Sequence, residues 1–122
     1  MQSPDGLGIP ASLAALLAMR LDRLGPRERN VLRCASIAGV DFDLDVLKAL
    51  LPRDAAPFVE RHIDALEQKR FIQRGEDAGL FRFVHGLMQL SAYQSMTRED
   101  RERLGKAYAD IMQRDASPPP WS

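Results

Sequence analysis

Phe81-Arg82-Phe83-Val84-His85-Gly86-Leu87 decides how this chain is read. Phe81 and Phe83 alternate with Arg82, the period of two of a half-buried strand. From Leu87 onward the apolar positions Leu87, Leu90, Ala92-Tyr93 and Met96 recur at helical spacing. His85 stands at the junction, followed by Gly86. A strand that runs into a helix leaves a polar residue beside unpaired N–H groups, where the helix dipole favours an anion. On residue chemistry alone the favoured reading is a partly buried corner residue bonded to a backbone carbonyl, with the anion-facing role as its alternative.

Working upstream, Phe71-Ile72-Gln73-Arg74 and Leu80-Phe81-Arg82-Phe83-Val84 flank Gly75-Glu76-Asp77-Ala78-Gly79, which reads as a β-hairpin. A helix opened by Pro57 and running to about Arg70 precedes it, with Val59, Ile63 and Leu66 inward and His62 at the margin of that face. Before that, Asp43 caps a short helix, Leu44 to Leu51, closed by Pro52. Val40-Asp41-Phe42-Asp43 is an extended link with Phe42 buried. A helix from Pro26 to Ala38, ended by Gly39, turns Val31, Leu32, Ala35 and Ala38 inward. The first helix follows Ile9-Pro10, stops at Gly25-Pro26 and buries Leu13, Leu16, Leu17, Leu21 and Leu24. Downstream, a helix runs from Gly86 to about Met96, and Thr97 caps a last helix reaching about Arg114, with Asp100 three residues on.

Helices, an extended link and a closing hairpin in this order predict a mainly α fold with one small β-hairpin. This is a winged helix (helix-turn-helix with the hairpin as wing) followed by two further helices. The expected organisation is a linker over residues 1–8, the winged-helix domain over 9–97, a helix over 98–115 beginning a following repeat-like helical region, and a disordered tail over 116–122, which contains Pro118-Pro119-Pro120.

Composition narrows the function. In 122 residues, 17 basic and 17 acidic side chains cancel, which argues against a dedicated nucleic-acid domain. The single cysteine, Cys34, falls in an apolar helical pattern and reads as a small core thiol, with no partner for a disulfide or a multi-cysteine zinc site. No apolar run approaches the roughly 20 residues of a membrane span, and the N-terminus lacks the regions of a signal peptide. A cytoplasmic, reducing setting is expected. No glycine-rich phosphate loop ends in Lys-Ser/Thr, and His62 and His85 stand 23 positions apart without companion ligands, so no metal site is expected. Asp41, Asp43 and Asp45 alternate but lack the glycine turn and terminal Glu of a calcium loop, so capping and solvation are expected of them. No catalytic constellation can be read, and the chain is expected not to be an enzyme.

Ile9-Pro10-Ala11-Ser12-Leu13 through Arg20-Leu21-Asp22-Arg23-Leu24 resembles the segment after the nucleotide-binding core of bacterial STAND ATPases. The likeness continues through Arg29 to Gly39 and Phe42, and through Val59, Ile63, Leu66 and Phe71-Ile72. It is most specific at Phe81-Arg82-Phe83-Val84-His85-Gly86-Leu87 with Ala92-Tyr93, and covers roughly residues 9–112. That family includes transcription regulators and proteins carrying adenylate/guanylate cyclase domains. The resemblance implies a regulatory winged-helix domain that folds back on an ATPase core and leads into a downstream helical region. The resemblance implies no cofactor in this domain itself: ADP or ATP with magnesium would be held by the core of the parent protein. His85 is similar to the histidine of the Met-His-Asp motif, which reaches the β-phosphate of ADP in related plant immune and apoptotic switches. Gly86 stands where the motif has its acid, Gln89 where relatives often have Arg, and Gly105 where they often have His.

Two rival readings come from other classes. As a DNA-binding winged helix, the chain would use Arg61, Lys69 and Arg70 on the fourth helix with Arg74 and Arg82 on the wing. Glu60, Asp64, Glu67, Glu76 and Asp77 are interleaved among them and repel phosphates. As a protein-docking module, it would self-associate as a homodimer through apolar surface, with Leu7, Ile9, Leu90 and Met96 as candidates.

Overall fold

The computed structural model describes residues 11–115. The expected linker and tail, with Leu7 and Ile9, lie outside the described residues. The elements are α1 (Ala11–Asp22), α2 (Pro26–Ala38), β1 (Asp41–Asp43), α3 (Leu44–Leu50), α4 (Val59–Gln68), β2 (Ile72–Arg74), β3 (Leu80–Phe83), α5 (Gly86–Gln94) and α6 (Arg98–Asp115). The fold is mainly helical with a small antiparallel sheet.

That sheet corrects the expectation of a lone hairpin. It has three strands in the order β1-β3-β2, because the extended link Asp41–Asp43 pairs with β3. Phe42 faces Phe81 across β1 and β3, and Ile72 faces Phe83 across β2 and β3. The alternation of Phe81 and Phe83 places both rings on the inner face. Phe42 stacks on Phe81 at 5.8 Å between centroids and meets Phe83 edge-on at 5.7 Å. Such contacts add about 0.5–1.5 kcal/mol each to the burial itself.

The hairpin turn is closed by the Gly75 N–H donating to the Leu80 carbonyl at 2.7 Å. Gly79 adopts φ +86°, a conformation that favours glycine, and its carbonyl accepts from Leu44 N at 2.8 Å. The hairpin is thereby tied to the first residue of α3. Asp43 caps that helix as expected, its Oδ1 accepting from Asp45 N at 2.7 Å and Val46 N at 3.3 Å. Thr97 Oγ1 likewise accepts from Asp100 N at 3.1 Å at the start of α6.

Two helix ends depart from the sequence reading. A 3₁₀ turn over Ala56–Phe58 precedes α4, which does not begin at Pro57. At its other end, Phe71 N donates to Leu66 O, the wrap of a Schellman motif, with Arg70 at φ +66° in the place glycine usually takes. The expected inward set of α1 also divides. Leu17, Leu21 and Leu24 are buried, Leu13 is half-buried, and Leu16 is 53% exposed. Val31, Leu32, Cys34 and Ala35 of α2 join Val59, Ile63 and Leu66 of α4 in one core. Leu104 of α6 enters the same core, with Ala107, Tyr108 and Ile111 packed against it.

Two stability outcomes follow. Phe83→Ala, at 1% exposure, should lower unfolding free energy by about 3–5 kcal/mol in a urea titration, and a loss below about 1 kcal/mol would contradict the packing described. Arg70→Gly removes a side chain from a left-handed residue and should raise stability by about 0.5–1 kcal/mol. An unchanged or lowered midpoint would contradict that geometry.

Candidate functional site

β3 delivers His85 to the surface through a corner held from both sides. Phe83 N donates to Val40 O at 2.8 Å, and Val84 N donates to Phe71 O at 3.0 Å, so the neighbouring chains hold the backbone up to the corner. His85 then becomes the N-cap residue of α5 with extended backbone angles, φ −131° and ψ 137°. Its carbonyl accepts from Met88 N at 3.0 Å and from Gln89 N at 3.4 Å. Its imidazole is exposed and makes no cap bond. Among the described residues it has no hydrogen-bonded or ionic partner. Both ring nitrogens are therefore available to a group outside the chain, beside the first N–H groups of α5, which have no intrahelical acceptors.

The neighbours of His85 are fixed by packing. Met88 and Ala92 are buried, which sets the rotation of α5. Gln89 Nε2 donates to Ser36 O at 2.7 Å and pins α5 to the end of α2. A Cβ on Gly86 would lie 3.9 Å from Val40 Cγ2, an ordinary contact, so a carboxylate-bearing side chain fits there. Gly105 faces open space, with nothing within 4 Å of a Cβ.

The basic residues of the nucleic-acid reading are exposed, but most are committed. Lys69 pairs with Glu28 at 2.7 Å. Arg74 pairs with Asp64 at 3.0 Å and Glu67 at 3.2 Å, and also lies 5.3 Å from the centroid of the Phe81 ring. Arg82 pairs with Asp41 at 3.1 Å across the sheet. Among the described residues only Arg61 and Arg70 of this set make no ion pair. Surface pairs stabilise little individually, but each places a carboxylate where a phosphate would have to approach.

Other candidates are placed as follows. His62 is half-buried on α4. Asp43 works as a helix cap and Asp41 as an ion-pair partner, and the described residues contain no group of three or more His, Cys, Asp or Glu that could hold a metal. The apolar surface proposed for self-association is corrected: Met96 is buried in the core at 5% exposure, and Leu90 is half-buried beside α1. The large apolar side chains that α1 exposes are Leu16 and Met19 instead. No helix of the described residues is long and apolar enough to cross a membrane.

No family model matches the chain, and no solved structure matches it. An uncharacterized protein of Rhizobium meliloti (strain 1021) is 31% identical over 96 residues, a match covering 77% of this chain and 9% of that relative. The chain thus spans about a tenth of the relative's length.

Cys34 gives a check on the core beside this corner. Burial pushes its thiol up to about 11, which leaves little thiolate near neutral pH. Its reaction with a disulfide reagent at pH 8 should be slower than that of an exposed cysteine by roughly two orders of magnitude and should recover in urea. Rapid labelling of the folded chain would contradict the burial.

Proposed function

We propose that the chain is a non-catalytic regulatory winged-helix domain of a multidomain STAND-type ATPase, with His85 as the residue that senses the nucleotide held by the core. The single observation that carries this reading is the imidazole at the strand–helix corner: exposed, without a partner among the described residues, and beside the open N-terminus of α5.

The fold supports it. The order α2, β1, α3, α4, β2, β3, with the early strand pairing alongside the hairpin, is compatible with a winged-helix plan. The relative supports it more loosely, since a chain about ten times longer has room for an ATPase core, an output domain and a helical region downstream. In this reading α6 leads toward that region.

The mechanism is a two-state hinge. In the closed state, His85 donates to the β-phosphate of ADP in the core, and the N-terminal N–H groups of α5 add to the attraction for the anion. Exchange for ATP alters those contacts and releases the domain. The ligand shifts the balance only by its differential affinity for the two states. A coupling of ~1–3 kcal/mol changes the ratio roughly 5–150-fold.

In the full-length protein, His85→Ala should speed ADP release by roughly 5–150-fold and raise basal output. Unchanged ADP release and output would remove His85 from the switch. Gly86→Asp places a carboxylate beside His85 at the first position of α5, where the dipole favours it and the space allows it. It should slow ADP release, and release at the original rate would show that the corner does not meet the nucleotide.

A further inference from the structure

A second surface lies away from the His85 corner, where α2 meets the 3₁₀ turn and the start of α4. It encloses a cavity of about 670 Å³, within the range of small-molecule sites. Val31, Leu51 and Phe58 give it apolar walls, and Arg27, Asn30 and His62 also line it. We propose that this cavity binds a small monocarboxylate carrying an aromatic ring.

The ring is argued from Phe58. Its side chain is 46% exposed although Val31 and Leu51 beside it are buried. A flat apolar body laid against it would remove ring surface from water and allow offset stacking. The carboxylate is argued from the polar lining. Arg27 is exposed, and Asn30 and His62 are half-buried; among the described residues none of the three side chains makes a hydrogen bond or ion pair. The other two arginines of the lining are engaged elsewhere. Arg29 Nη1 donates to Asp22 O at 3.2 Å and Leu24 O at 3.5 Å, closing the end of α1, and Arg33 Nε donates to Ser95 Oγ at 2.9 Å. Arg27 is thus the guanidinium left to take a carboxylate in fork geometry, and the Asn30 amide can donate beside it. Arg29 and Arg33 donate to neutral acceptors and keep their charge, so the lining as a whole attracts an anion. Asp54 also lines the cavity, and its carboxylate opposes further negative charge on the ligand, which favours a monocarboxylate over a polyanion.

The test is a ¹H–¹⁵N correlation titration of the 122-residue chain with 3-phenylpropionate, alongside its neutral amide, 3-phenylpropionamide. The expected result is saturable shifts centred on Arg27, Asn30, Phe58 and His62 with a millimolar dissociation constant and weaker shifts with the amide. Arg27→Ala and Phe58→Ala, checked for native spectra elsewhere, should each weaken 3-phenylpropionate roughly tenfold. Shifts that do not saturate, that scatter over the surface, or that persist at full strength in Arg27→Ala would overturn the proposal. So would a response to an acidic peptide bearing a phenylalanine with none to 3-phenylpropionate, which would make the surface a peptide groove.

Discussion

The contact among Phe42, Phe81 and Phe83 is what the remaining geometry depends on. β3 is the central strand, bonded on both edges, and its two inward rings fix it against the helices. Because the side-chain period of a strand is two, a slip of one residue would turn both rings to water and Arg82 into the core. The register is therefore held by burial, and the chain leaves β3 at one place and in one direction. His85 lies two residues beyond Phe83, so the position of the imidazole is a consequence of where that ring is buried. The same strand carries both the packing and the placement of His85.

Electrostatics complete the description by what they leave over. A net charge of zero could arise from scattered charges, but here acids and bases meet in pairs across elements: Lys48 with Glu60, Lys69 with Glu28, Arg74 with Asp64 and Glu67, Arg82 with Asp41. The outer face of α4 and the β2–β3 hairpin consequently present no sustained positive field of the kind that draws a nucleic-acid backbone. Among the polar side chains without partners in the described residues are His85 at its corner and Arg27, Asn30 and His62 at the α2–α4 cavity. These are where ligands are proposed.

Much of the fold was legible where one residue type carries a local physical signal. Pro26 and Gly39 bracket α2 because a missing N–H is tolerated at a first turn and a helix stops readily at glycine. Asp43 and Thr97 capped as expected because their short oxygens reach the free amides. What could not be read depended on distant partners. β1 is three residues long and becomes a strand only because β3 lies beside it. Leu16 and Met96 are indistinguishable by hydrophobicity, yet α1 turns one to water and the core encloses the other. Arg70 in a left-handed conformation violates residue preference, and only the surrounding wrap onto Leu66 accounts for it. The place of His85 between strand and helix was legible from the change of period around it. The cavity was not, although Phe58 falls one residue before the buried stripe Val59, Ile63, Leu66 and stands four before His62, which shares its side of the helix.

The account's central claim is that the exposed imidazole exists to meet a nucleotide held elsewhere in a longer protein. The most direct measurement is an experimental structure of the full-length protein with ADP bound. The account predicts a ring nitrogen of His85 at hydrogen-bond distance from a β-phosphate oxygen, about 2.7–3.2 Å. An ADP-bound structure with this domain folded as described but His85 facing solvent or another protein segment, away from the phosphates, would contradict it.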